Sequence, residues 1–226
     1  KGKIILGNGG GGGNGFVLQQ SQSVAGKMEL AVGIKTYRDV ILSDSPVSYW
    51  RLNETSGNSA LDSVGGGTIL TYSGNQTLGN PGATDEVAAG LNAAATRYIA
   101  NAASASALPI GGSARSVEYW IKPNSFNAVG GTVGWGDGLG NQIFSLEAAS
   151  ISGTHYLFTD AVNSSNNISL SGGEIPALSA WSHVVFNATT TTWEYYLNGV
   201  KLKTGSFTVP INTVGTEVII GNRTDG

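Results

Sequence analysis

The chain has 226 residues, 40% hydrophobic and only 12% charged, with 12 Lys and Arg against 15 Asp and Glu and a net charge of −3. That is enough apolar material for the core of one large domain, and it leaves no basic footprint for nucleic acid or an anionic membrane surface. The absence of cysteine excludes disulfides, thiolate metal ligands and a cysteine nucleophile and points to a bacterial or viral source, and no apolar run approaches the roughly 18 residues of a membrane helix, so no membrane insertion is expected.

Residues 1–36 read as an N-terminal arm. A short apolar run, Lys3-Ile4-Ile5-Leu6, leads into five glycines, Gly9 to Gly13, which have no side chains to bury and a high entropic cost of ordering. Gly7-x-Gly9-x-x-Gly12 matches a dinucleotide fingerprint in spacing, but no βαβ unit follows it, so nucleotide binding is not expected. Gln19 to Ala31 is read as a short helix or an extended arm. An ordered path through the glycines needs contacts from outside to offset about 1–2 kcal/mol of backbone entropy per residue. The arm is therefore expected to be held by other subunits of an assembly.

From Tyr37 onward, short apolar or alternating runs are separated by Gly, Asn, Ser and Pro clusters, the pattern of many short strands with few helices. Strands are predicted at Val47–Leu52, Arg97–Ala100, Ser116–Lys122, Thr132–Trp135, Gln142–Ala148, His155–Thr159, Trp181–Ala188, Thr192–Leu197 and Glu217–Gly221. In the third of these, Val117, Tyr119 and Ile121 share one face, and Glu118, Trp120 and Lys122 the other. Val184 and Phe186 likewise oppose Val185 and Asn187. Asn198-Gly199 between two strand patterns is a type I′ hairpin signal, because both central positions need positive φ.

The phrase from Tyr37 to Glu54, with Tyr49-Trp50-Arg51-Leu52 at its heart, resembles the opening of the laminin-G-like, concanavalin-A-like domains found in bacteriophage virion and tail proteins. Asp62-Ser63-Val64-Gly65, Asn80-Pro81-Gly82-Ala83, Val117 to Pro123, and Trp181 to Phe186 running into Trp193 to Val200 continue the likeness in the family's order. The resemblance implies an all-β fold, a two-sheet antiparallel jelly-roll sandwich over residues 37–226 with the Gly-rich arm preceding it. It also implies sugar binding or a part in virion architecture. The family's further strand after the segment like Val218 to Asn222 is not found, so the jelly roll is expected to lack its final C-terminal strand.

Some folds of this type carry glycosidase carboxylates on alternate residues of one strand. No such run occurs here: Glu118, Glu147 and Glu194 are each solitary in their strands, and no catalytic residue is assigned. His155 and His183 lack metal-ligand or triad spacing, and His183 is expected at a strand start, bonded to a neighbouring loop. No Gly-x-Ser-x-Gly elbow is present. Calcium is the one cofactor the resemblance suggests, held at the sandwich rim by oxygen ligands. Asp62, in the loop after the first family strand, matches the metal position best, with a turn-stabilising role as its alternative. Of the five tryptophans, Trp50, Trp120 and Trp181 are expected in the core. Trp135, flanked by glycines and read as a loop residue, is the expected exposed sugar contact, with Asp137 beside it.

The resulting expectation is a non-catalytic virion structural, decoration or tail-associated protein of a bacteriophage, a homo-oligomer within its assembly, displaying a domain that adheres to a cell-surface glycan. The alternatives are a carbohydrate-binding module of a secreted bacterial protein and, more distantly, a glycoside hydrolase.

Overall fold

The computed structural model describes residues 16–20, 30–65, 67–73, 76–84, 87–90, 100–102, 107–126, 131–136, 142–151, 154–158, 166–215 and 217–221. The chain divides into two units, Lys1–Pro46 and Val47–Gly226.

In the first unit, strand β1 (Phe16–Gln20) pairs antiparallel with β2 (Leu30–Ile34). Helix α1 (Tyr37–Ser43) follows. It stands where the sequence pattern predicted the beginning of a strand-rich region, and its start explains why. The Thr36 hydroxyl accepts from the Asp39 N–H at 3.2 Å, and the Asp39 carboxylate accepts from the Thr36 N–H at 3.0 Å. This capping box satisfies donors that a first helical turn otherwise leaves orphaned. The Thr36 hydroxyl also donates to that carboxylate at 2.8 Å, and this bond is the leading reason the Asp39 carboxyl titrates below its ordinary value.

The second unit holds β3 (Ser59–Ala60), β4 (Leu70–Tyr72), β5 (Thr77–Pro81), β6 (Val87–Gly90), β7 (Ala100–Ala102), β8 (Arg115–Ile121), β9 (Gly131–Gly136), β10 (Ile143–Ile151), β11 (Thr154–Phe158) and β12 (Asn167–Leu170). After one 3₁₀ turn at Gly172–Glu174 come β13 (Ser182–Ala188), β14 (Thr192–Leu197), β15 (Val200–Ser206) and β16 (Val218–Ile220). Two antiparallel sheets result, one of eight strands in the order β12-β11-β10-β9-β16-β7-β4-β3 and one of four in the order β15-β14-β13-β8. A short β5-β6 ribbon accompanies them. This is the all-β sandwich that the alternating patterns and the resemblance imply.

The two sheets share one core. Leu70, Leu146, Phe144 and Val218 come from the larger sheet, Val184, Phe186, Tyr195 and Leu197 from the smaller, and they form a single cluster. Phe144 of β10 meets Phe186 of β13 with ring centroids 6.2 Å apart, and Phe186 stacks on Trp193 at 6.1 Å. The fully buried Phe144 and Phe186 rings each contribute about 1.5–3 kcal/mol by leaving water. Among the described residues no helix is long and apolar enough to cross a membrane.

One sequence expectation changes here and another holds. Val47–Leu52 is not a strand: Ser45 and Leu52 have φ of 54° and 53°, and the segment's β contact is a single bridge from Trp50 to Asp62. Positive φ at a branched residue interrupts the extended backbone that a ladder needs. By contrast, Asn198 and Gly199 have φ of 51° and 78°, and the β14–β15 hairpin forms on them as their spacing predicts.

Candidate functional site

The four-stranded sheet is buried on one side only, so its outward residues follow directly from strand alternation. Val184, Phe186 and Ala188 of β13 point into the core, and His183, Val185 and Asn187 point out. On β8 the outward set is Ser116, Glu118 and Trp120; on β14 it is Glu194 and Tyr196. The strand register aligns these in rows. Trp120 lies opposite His183; Glu118, Val185, Tyr196 and Lys201 form a second row; Ser116, Asn187, Glu194 and Thr204 form a third.

The rows are bonded within themselves and to each other. The Trp120 and His183 rings lie 4.9 Å apart, tilted by 34°. His183 Nε2 is covered and lies 3.0 Å from Glu118 Oε1, a contact that becomes an ion pair when the imidazole is protonated. Ser116 donates to Asn187 Oδ1 at 2.7 Å. Glu194 accepts from the Tyr196 hydroxyl at 2.7 Å and from Lys201 Nζ at 3.0 Å. Those two bonds, Tyr196 first, hold the Glu194 carboxyl below its ordinary range and push the Tyr196 and Lys201 groups up. The same row opens at one end into a shallow depression lined by Ser116, Asn187, Glu194, Thr204 and Trp193.

Trp120 is 38% exposed, the most exposed tryptophan among the described residues. The expectation that it packs in the core is therefore overturned. Its position between Tyr119 and Ile121 in the alternation sends it to the Glu118 face. Trp50 does pack against the core, its Nε1 donating to the Thr68 carbonyl at 2.7 Å.

The residues singled out from the sequence fall elsewhere. Trp135 is not in an exposed loop: it sits in β9, 3% exposed, with Nε1 donating to the Pro109 carbonyl at 2.8 Å and its ring 4.7 Å from Phe144. The glycines that suggested a loop allow close strand packing instead. A Cβ on Gly134 would stand 2.9 Å from the Ser145 Cβ, and one on Gly136 would stand 2.3 Å from the Gln142 carbonyl oxygen. Asp137 lies outside the described residues, as do the side chains of Glu147 and His155. Asp62 acts as a turn former, its Oδ1 accepting from the N–H groups of Tyr49 at 2.8 Å and Val64 at 2.9 Å. Its Oδ2 is covered and unpartnered, against Gly67. One such oxygen is a small part of the 6–8 that calcium takes, and among the described residues no three His, Cys, Asp or Glu side chains converge. Asp62 therefore does not by itself make a calcium site.

Two interior polar anchors escaped the sequence pattern. Glu54 accepts from the Leu61 N–H at 2.9 Å and from the Tyr72 hydroxyl at 2.6 Å, and burial, with that carboxylate next, drives the phenol far above its ordinary value. Arg115 is a buried cation, 6% exposed, donating to Ser113 O at 3.0 Å, Thr213 Oγ1 at 2.7 Å and Gly111 O at 2.8 Å. Its guanidinium lies 5.4 Å from the Trp135 ring and 5.1 Å from that of Phe144. Burial lowers its pKa to about 10.

Comparison with known proteins places this architecture. No curated protein sequence matches the chain. Among solved structures, the chain is similar to domain 4 of AbnA, a GH43 extracellular arabinanase from Geobacillus stearothermophilus in complex with arabinotriose, with a TM-score of 0.52 and 20% identity over 72% of this chain and 77% of that one. It is also similar to an arabinofuranosidase complexed with arabinofuranosyl-alpha-1,2-xylobiose, with a TM-score of 0.50 and 12% identity, covering 95% of this chain and about half, 53%, of that one. At these identities the likeness is one of fold. The model of the concanavalin A-like lectin/glucanases superfamily, in its laminin-G form, matches residues 94–226, a stretch that carries the whole four-stranded sheet and most of the larger one. A match over more than half of the chain, on a sandwich built as that family's are, makes this chain a member of the concanavalin A-like lectin/glucanases superfamily.

Proposed function

We propose that the chain is a non-catalytic carbohydrate-recognition module that takes its glycan on the outer face of the four-stranded sheet. The observation that carries this reading is the exposed Trp120 ring, braced on His183, beside a surface of fixed donors and acceptors from Glu118, Asn187, Glu194 and Lys201. Sugar rings have apolar faces that stack on aromatics and hydroxyls that need both donors and acceptors. The two carboxylates of the face stand on strands separated by β13 and one row apart, their Cα atoms about 12 Å apart diagonally across the sheet. A retaining glycosidase pair needs about 5–5.5 Å and an inverting pair about 6.5–9.5 Å, and the wider placement here supports recognition without catalysis. The finer reading is a bacteriophage virion protein with residues 1–36 anchored in other subunits, supported by the Tyr37 to Glu54 phrase and the glycine run.

The test is calorimetric titration with arabinose-containing and other neutral oligosaccharides, in parallel with an assay for released reducing sugar. Binding that Trp120→Ala removes while the chain stays folded supports the proposal. Turnover that Glu118→Gln or Glu194→Gln abolishes would replace it with a hydrolase. Cross-links from residues 1–36 to other subunits of a purified particle would support the virion setting, and a monomeric secreted module would remove it.

A further inference from the structure

The outer face carries a second aromatic, Tyr196, placed relative to Trp120 by the strand register. Trp120 is on the edge strand β8, opposite His183; Tyr196 is on β14, opposite Val185. The two rings are therefore two strands apart and one row apart. With strands about 4.8 Å apart and two residues rising about 6.8 Å, their Cα atoms are separated by about 12 Å diagonally across the sheet.

A furanose or pyranose ring is about as wide as one strand spacing. One sugar ring therefore cannot touch both platforms, whereas alternate rings of a single extended chain can. The ground between them is the middle strand β13, where His183 in the Trp120 row and Val185 in the Tyr196 row flank the diagonal. The polar groups nearest Tyr196 are already engaged with one another. Glu194 is bonded to the Tyr196 hydroxyl and Lys201, and Asn187 to Ser116. Such a surface is preorganised, and its Glu194 carboxylate is already met by the Lys201 ammonium, so no opposite charge on the ligand is needed there.

From this geometry, and resting on the recognition reading above, we infer that the ligand is a neutral, extended polysaccharide segment of at least three rings. It lies diagonally across β8, β13 and β14, stacked on Trp120 and Tyr196 at alternate rings. The site reads chain length and extended shape, through two platforms, more than the hydroxyl pattern of one sugar.

The experiment is titration of the whole chain with arabinose, arabinobiose, arabinotriose and arabinohexaose, and in parallel with a linear neutral hexose series of the same lengths. In whichever series binds, affinity rises about tenfold or more between the disaccharide and the trisaccharide. Tyr196→Ala removes that gain. Tyr196→Phe, which keeps the ring and loses only the Glu194 bond, preserves the gain. A flat dependence on length, or a gain unchanged in Tyr196→Ala, overturns the inference while leaving recognition at Trp120 standing. Absence of binding to both series, or binding indifferent to Trp120→Ala, overturns both.

Discussion

Asn198 closes both backbone polar groups of His183: its N–H donates to the His183 carbonyl oxygen at 2.8 Å, and its side-chain Oδ1 accepts from the His183 N–H at 2.9 Å. The turn that joins β14 to β15 thus also terminates the ladder of β13, at the residue whose ring braces Trp120. Local turn chemistry and the outer face are mechanically linked at this point.

Asn198→Ala should therefore cost about 1–2 kcal/mol, since it loses a hydrogen bond and forces a residue with a Cβ into positive φ without the local bonding that makes Asn tolerant there. Asn198→Gly should cost less, because the conformation is retained and only the side-chain bond is lost. Urea denaturation of both variants separates the two effects. Equal losses would show that the backbone conformation carries none of the cost.

Arg115→Lys should destabilise by about 2–4 kcal/mol. The planar guanidinium reaches three acceptors at once, a geometry an ammonium does not reproduce, and each acceptor left buried without a donor costs about 1–3 kcal/mol. The pKa near 10 keeps the group charged at neutral pH. Thermal unfolding at pH 7 checks this, and a change under about 0.5 kcal/mol, the usual range for surface substitutions, would contradict it.

Gly205 stands directly across from Trp193, and a Cβ there would come within 2.6 Å of the indole. Gly205→Ala should displace the ring from its stack on Phe186, with a cost of about 1–3 kcal/mol for overpacking and a shift of tryptophan emission to longer wavelength. Unchanged emission would show that the indole accommodates the methyl without leaving Phe186.

Glu194 provides a pH test. Its folded carboxyl titrates below the ordinary value because Tyr196 and then Lys201 bind the ionised form. A carboxylate with a lowered folded pKa contributes stability that is present above its unfolded pKa and lost as the pH falls through the folded one. Carboxyl NMR titration should place Glu194 under the usual glutamate range, and Tyr196→Phe should move it upward. An unmoved midpoint in that variant would assign the shift to the remaining partners, Lys201 before Asn187.

The sequence by itself determined the fold class, the β14–β15 hairpin and the two faces of β8 and β13. Each of these depends on residues a few positions apart: an alternation of period two, or an Asn-Gly pair that tolerates positive φ. Even Trp120 was legible on the Glu118 face by that alternation, against the general tendency of large aromatics to be buried. Only the tertiary structure decided what lies beside what. The glycines around Trp135 signal a loop when read locally, yet they serve the close approach of β9 to β10, and Trp135 is core. The carboxylate that meets Tyr72, the partners of Arg115 and the strand pairing that brings Glu194 to Lys201 all join residues from separate turns or strands. Strand order and register set those meetings, and no periodicity within one strand encodes which neighbour it will have.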